Sequence, residues 1–181
     1  MTLPASPGAP DWTLIIPCAT PASAAPTGRP KWLLTTPDGQ LLAARAAASV
    51  PQDRIARRIV VFLRETEERY GCTQAFRRAF GDGIECCILD ERTEGPAHTV
   101  REAITNLGLA GPVCIKDSDS FFDIGTLPDG SFLAVTDVRG QSSLSFPGRK
   151  SYVRVNEQGF VCEIAEQSVI SNLISVGLYG F

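Results

Sequence analysis

Apolar residues come in short runs along this chain, separated by polar stretches of helical period. The run Trp12-Thr13-Leu14-Ile15-Ile16-Pro17 has the length and make-up of a buried strand, as do 58–63, 84–89 and Val113-Cys114-Ile115. Residues 40–50 read as a helix. Within 65–80, Tyr70, Thr73, Phe76 and Phe80 recur at helical spacing, with acids early and Arg77-Arg78 late, as the helix dipole prefers. Within 97–107, Ala97, Val100, Ala103, Ile104 and Leu107 share one helical face. Strand and helix thus alternate through four strands, which predicts right-handed crossovers and a mostly parallel sheet covered on both faces. From residue 132 the pattern changes. Residues 132–138, 152–155, 160–166 and 175–181 read as strands with short connections, and Asn156-Glu157-Gln158-Gly159 reads as a hairpin turn. The expected fold class is α/β: a three-layer, Rossmann-like domain with a mostly parallel central sheet and an antiparallel extension.

Length and composition bound this picture. The chain has 181 residues, one domain's worth. Residues 1–10, rich in Pro, Ala, Ser and Gly, read as a flexible leader, which leaves 11–181 as a single domain. Apolar residues make up 44% and charged residues 20%, so the chain can bury a core. A net charge of −3 argues against a nucleic-acid partner held by phosphate neutralisation. Residues 1–64 carry seven basic and three acidic side chains against ten and seventeen in the remainder; scattered surface charge accounts for such a bias in most proteins. No apolar run approaches the roughly 20 residues of a membrane span, and the N-terminus lacks the basic start and apolar stretch of a signal peptide. Six cysteines occur without a C-x-x-C pair, four of them in strand-like runs; reduced, buried thiols in a cytoplasmic protein are expected.

In open α/β sheets ligands bind beyond the carboxyl ends of the parallel strands. Three polar segments fall there: Gly28-Arg29-Pro30-Lys31-Trp32 after the first strand, Asp90-Glu91-Arg92-Thr93-Glu94-Gly95-Pro96 after the third, and Lys116-Asp117-Ser118-Asp119 after the fourth. A lysine fixed behind a proline can meet a phosphate as a point charge. Carboxylates at a neighbouring strand end can hold a Mg²⁺ that shares its oxygens with substrate phosphates. Together these segments suggest a site for a phosphorylated ligand and a metal. His98, the only histidine, reads as a helix-surface residue, and Tyr152 and Tyr179 as packing aromatics.

These residues also carry a resemblance. Leu14-Ile15-Ile16-Pro17-Cys18-Ala19, then Arg29-Pro30-Lys31-Trp32-Leu33-Leu34 and Pro37-Asp38-Gly39, resemble the N-terminal signature of sugar-phosphate nucleotidyltransferases, of the type found in capsule and surface-polysaccharide clusters. Thr93-Glu94-Gly95-Pro96-Ala97-His98-Thr99-Val100 resembles the family's base-contacting loop, and Ile115-Lys116-Asp117-Ser118-Asp119 the strand end that supplies a Mg²⁺-binding aspartate. The stretches 151–155, 163–166, 170–172 and 176–179 resemble the sugar-phosphate half of the site. The likeness runs in consistent order from residue 12 to 181.

The resemblance implies a nucleotide-diphospho-sugar transferase fold and transfer of an NMP group from an NTP to a sugar 1-phosphate, with pyrophosphate released. It implies Lys31 and Asp119 as catalytic residues and Asp119 with Asp117 as Mg²⁺ ligands. Ala19, Thr20, Arg29, Glu94 and Gly95 would bind the nucleotide, and Tyr152, Glu166, Ser171 and Asn172 the sugar phosphate. Three features depart from the family's pattern. Its glycine-rich first loop has Thr20, Ala22 and Ala24 at the matching positions, with Pro21 and Pro26 nearby; its Glu-Lys pair reads Glu166-Gln167; and its C-terminal segment, expected beyond Phe181, is absent from this sequence. A non-catalytic binding module on the same fold, or a D-x-D glycosyltransferase, are the alternatives.

Overall fold

The computed structural model describes residues 12–19, 28–139 and 147–181; the expected leader and the first-loop residues Thr20, Pro21, Ala22, Ala24 and Pro26 lie outside them. At its centre is β1 (Trp12–Pro17), paired in parallel with β2 (Ile55–Leu63) on one side and β4 (Val113–Lys116) on the other. Strand β3 (Ile84–Leu89) runs parallel outside β2. Helices α1 (Leu42–Ala47), α2 (Arg64–Tyr70), α3 (Cys72–Phe80) and α4 (Pro96–Leu107) lie between these strands in the chain.

Side chains alternate across a strand, and the core divides accordingly. Leu14 and Ile16 face one cluster with Trp32, Phe62, Ala43 and Ala47 of α1 and Phe76 of α3. Ile15 faces the other with Ile59, Val61 and Val100 and Ala103 of α4. Helices therefore cover both faces, in three layers. Ile15, Ile16, Ile59 and Phe62 are wholly buried, each worth about 1.5–3 kcal/mol relative to exposure. The vicinal thiols obey the same alternation: Cys86 packs on the first cluster and Cys87 belongs to the second.

One expected helix is two. Gly71 adopts the left-handed conformation (φ 61°, ψ 48°), closes α2 through its N–H to Glu67 O at 2.8 Å, and lets Cys72 start α3 at a new angle. The apolar spacing runs on across the break because Tyr70, Phe76 and Phe80 still pack on one cluster.

The extension is antiparallel. Strands β5 (Phe132–Asp137), β6 (Ser151–Val155), β7 (Val161–Glu166) and β8 (Leu173–Gly180) complete a sheet of order β3-β2-β1-β4-β8-β6-β7, with β5 also on β8. The last strand is the junction. Residues 178–180 pair with β4, 173–174 with β6, and β5 runs along β8 with an irregularity between Leu133 and Val135. Asn156 Oδ1 accepts from the N–H groups of Gln158 and Phe160 to close the β6–β7 hairpin, and Gly159 (φ 85°) makes its turn. Among the described residues no helix is long and apolar enough to cross a membrane.

Candidate functional site

Strand order reverses between β1 and β4, because β2 and β3 extend the sheet to one side of β1 and β4 begins the other. The chain leaving β1 and the chain leaving β4 therefore diverge there and leave a crevice between them. Lys31 and Asp119 meet at it, with Lys31 Nζ 3.8 Å from Asp119 Oδ2 and both side chains about half exposed. Local packing explains the lysine's placement. Residues Lys31–Leu33 form a single 3₁₀ turn behind buried Pro30. Trp32 is 3% exposed and stacks on Phe76 with ring centroids 5.6 Å apart. With Trp32 inward, Lys31 faces out.

Asp119 is held by the 116–120 segment, whose centre is a buried cation. Lys116, the last residue of β4, is 0% exposed. Its Nζ donates to Asp117 O at 2.9 Å, Ser120 O at 2.6 Å and Ser120 Oγ at 2.9 Å, and lies 5.0 Å from the centre of the Phe122 ring. Burial pulls the Lys116 ammonium down to about 8, with the carboxylates of Asp117 and Asp119 opposing. Ser120 Oγ in turn donates to Val176 O on β8 at 2.9 Å. The sequence reading sets Lys116 in the polar segment after the fourth strand, whereas it is the last residue of that strand and buried. The signal was present: Cys114 and Lys116 share a face of β4, and that face is buried.

Asp117 faces away from that crevice, toward β8. Its N–H bonds Gly177 O at 2.8 Å, and its carboxylate occupies the space that a side chain at 177 would need: a Cβ there would stand 2.2 Å from Asp117 Oδ2. Burial raises the Asp117 carboxyl above its usual range; Lys116 and Lys150 oppose that rise and Asp119 adds to it. Tyr179, half-buried on β8, is likewise raised by burial; its OH accepts from Ser175 Oγ at 3.2 Å, which pulls the other way, while the charges of Asp117 and Glu166 add to the rise. Asp117, Lys150, Glu166 and Tyr179 thus form an electrostatic group on the extension side. Cys18, the residue after β1, belongs to the core cluster. It is fully buried, which pushes its thiol well above the usual value, with Ser118 opposing that rise.

On the other side of β1, a cleft of about 150 Å³ is lined by Pro17, Ala19, Thr93, Glu94, Gly95, Pro96 and Thr99. Its outer wall is locked by short-range bonds. Thr99 is buried; its Oγ1 donates to Gly95 O at 3.1 Å and meets Thr93 Oγ1 at 2.7 Å. His98 Nδ1 accepts from the Glu94 N–H at 3.3 Å, and its Nε2 lies 3.2 Å from Glu102 Oε1, which assigns the proton to Nε2. His98 therefore has partners on both ring nitrogens, a fixing role that its sequence neighbourhood did not reveal.

The remaining expected site residues stand as follows. Ala19 is buried in the cleft wall, Glu94 is exposed and Gly95 half-buried. Arg29 is exposed, with its guanidinium carbon 5.8 Å from the centre of the Tyr70 ring, whose OH donates to Gly28 O at 2.8 Å. Tyr152 is 2% exposed on β6. Glu166, at the end of β7, accepts from Ser151 Oγ across the hairpin. Ser171 Oγ donates to Val153 O at 2.6 Å and accepts from Leu173 N–H at 3.0 Å, so it joins β6 to β8. Asn172 is exposed and its carbonyl accepts from Val138 N–H at 2.8 Å. Thr20 lies outside the described residues.

A metal finds limited protein ligation here. Among the described residues no three His, Cys, Asp or Glu side chains come together to hold an ion. Asp119 presents a half-exposed carboxylate at the crevice, whereas Asp117 is committed to the space over Gly177. That donor set fits a Mg²⁺ that takes most of its oxygens from a bound ligand and water.

By sequence, the chain matches no family model and no curated protein. By structure it is similar to the inositol-1-phosphate CTP transferase from T. maritima (TM-score 0.75, 16% identity, 96% of this chain and 71% of that one). It is similar also to the nucleoside-diphosphate-sugar pyrophosphorylase from Vibrio cholerae RC9 (TM-score 0.70, 20% identity, 93% and 72%). A third likeness is to UDP-glucose pyrophosphorylase complexed with UDP-glucose (TM-score 0.69, 15% identity, 94% and 76%). At these identities the likeness establishes the fold.

Proposed function

We propose that this chain is a Mg²⁺-dependent nucleotidyltransferase that joins an NTP to a sugar 1-phosphate or a similar phosphate and releases pyrophosphate, in the making of surface-polysaccharide precursors in the cytoplasm. The observation that carries the reading is the convergence of Lys31 and Asp119 where strand order reverses, beside a cleft walled by Ala19, Glu94 and Gly95. The likeness to a CTP transferase and to two pyrophosphorylases acting on nucleotide sugars supports it.

The chemistry needs in-line positioning and charge stabilisation. Lys31, exposed and held by an inward tryptophan, meets the triphosphate and the attacking phosphate as a fixed positive charge. Asp119, half exposed at the crevice, would hold a Mg²⁺, which would supply neutralisation of the charge developing on the phosphate oxygens. The 93–95 loop, with its backbone fixed by Thr99 and His98, offers backbone groups and the Glu94 carboxylate to the base. On the extension side, Lys150 replaces the cation missing at Gln167 as a partner for the sugar phosphate. Gln167 N–H bonds Lys150 O at 3.0 Å, so the two positions are neighbours.

Pyrophosphate release from each common NTP with a panel of sugar 1-phosphates tests the proposal: at least one pair turns over in MgCl₂ and none in EDTA. A second reading, a binding module without turnover, is favoured by the proline-bearing first loop in place of glycines. NTP binding with no pyrophosphate from any pair supports that module and contradicts the enzyme. Hydrolysis of a UDP- or GDP-sugar without pyrophosphate supports a glycosyltransferase.

A further inference from the structure

We infer that Lys116 is a positioning residue of this site: its buried ammonium gathers the 117–120 segment around itself and so presents Asp119 to Lys31. The inference deepens the nucleotidyltransferase reading and rests on it for the role of Asp119.

The geometry is that of a clamp. The three acceptors of Nζ all belong to the turn that follows β4: Asp117 O, Ser120 O and Ser120 Oγ. Residue 119 is bracketed by them. The clamp is tied to the sheet at two further points, by Asp117 N–H to Gly177 O and by Ser120 Oγ to Val176 O, both on β8. The Phe122 ring covers the ammonium on another side. No carboxylate lies within 4 Å of Nζ among the described residues, so the bonds to the charge come from loop oxygens. Core filling does not account for a lysine here. Burying an ammonium is costly, and an apolar residue fills a core-facing position without that cost. What the apolar side chain loses is the hold on two carbonyls and a hydroxyl in the turn that carries Asp119.

Lys116→Met keeps the length and removes the charge. In the full chain we expect exchange of the Asp117 amide, which is bonded to Gly177 O on β8, to accelerate at least about tenfold more than that of the β1 amides, relative to wild type, in ligand-free protein. We also expect the Mg²⁺ concentration for half-maximal NTP binding, titrated with each of ATP, CTP, GTP, UTP and dTTP, to rise at least about tenfold, the scale seen when supports of metal ligands are removed. A change that only weakens the fold leaves that midpoint where it was. Ser120→Ala, which removes one acceptor and one of the two ties to β8, moves both readouts in the same direction by less and serves if Lys116→Met fails to fold. A folded Lys116→Met with wild-type exchange, or with accelerated exchange and a wild-type Mg²⁺ midpoint, overturns the inference; with Ser120→Ala alone, wild-type values in both do so. Wild-type protein that binds none of the five NTPs overturns the nucleotide reading instead, and the exchange comparison then still decides whether the clamp exists.

Discussion

Lys31 and Asp119 stand 3.8 Å apart across the point where strand order reverses, although each is delivered by a different loop and neither is buried. An exposed pair of this kind contributes no more than about 1 kcal/mol to stability. It sits where ligands bind in open α/β sheets, at the point where strand order reverses. The pair is therefore a poor fastening and a well-placed pair of charges.

The close approach of Asp117 to Gly177 predicts a steric coupling between β4 and β8. Gly177 has φ 77°, and a Cβ there would lie 2.2 Å from Asp117 Oδ2. Gly177→Ala should cost about 2–4 kcal/mol, from the left-handed backbone and the overlap together. Asp117→Ala in the same chain should recover part of that loss, because it removes the overlap and leaves the backbone strain. Urea unfolding of the two single variants and the double checks this; strictly additive losses contradict the contact.

The fixed outer wall of the 93–95 cleft predicts an effect on nucleotide affinity. Thr99→Val removes the bond to Gly95 O and the contact with Thr93 Oγ1 while keeping the shape. Stability should fall by about 1–2 kcal/mol. KM for the NTP should rise several-fold, with KM for the sugar phosphate little changed. Steady-state kinetics with each substrate varied in turn would expose an equal effect on both, which the proposed division of the site forbids.

Stability should fall as pH rises above about 9. Burial pushes the thiols of Cys72 and Cys114 up to about 12 and raises those of Cys18, Cys86 and Cys87. Unfolded thiols lose protons near the ordinary 9.0, so above that pH the unfolded chain holds fewer protons than the folded one, and stability is lost through the window up to the folded values. Lys116 acts with the opposite sign: folded near 8 and ordinarily 10.5, it adds stability as pH rises between those values. Five thiols outweigh one lysine, each contributing up to about 1.4 kcal/mol per pH unit where fully split. Urea midpoints at pH 8 and pH 10 should show the drop; an equal or higher midpoint at pH 10 is the contrary result. In the same native protein at pH 8, Cys162, the exposed thiol, should label first.

Much of the fold was legible because its causes are local. The run Trp12–Pro17 is apolar at every position but one, and it is buried on both faces as the central strand. The hairpin at Asn156 was legible because an asparagine and a glycine supply the turn. The break at Gly71 was not, since apolar spacing continues through it and only the backbone records the left-handed residue. Site residues were legible to differing degrees. The positions of Lys31 and Asp119 came from loops at strand ends, and their meeting depends on sheet order, which no local pattern encodes. Ser171 entered as a ligand-side residue, and the structure shows its hydroxyl joining β6 to β8. Lys116 could have been found by asking why a lysine occupies a core-facing strand position.

The most direct test is the rate of pyrophosphate release in MgCl₂ for the best NTP and sugar 1-phosphate pair, compared between wild type and Lys31→Ala at matched folded concentration. The account predicts a loss of about 10²–10³-fold, with the melting transition within about 0.5 kcal/mol of wild type because the side chain is half exposed. A Lys31→Ala protein that releases pyrophosphate at the wild-type rate contradicts it.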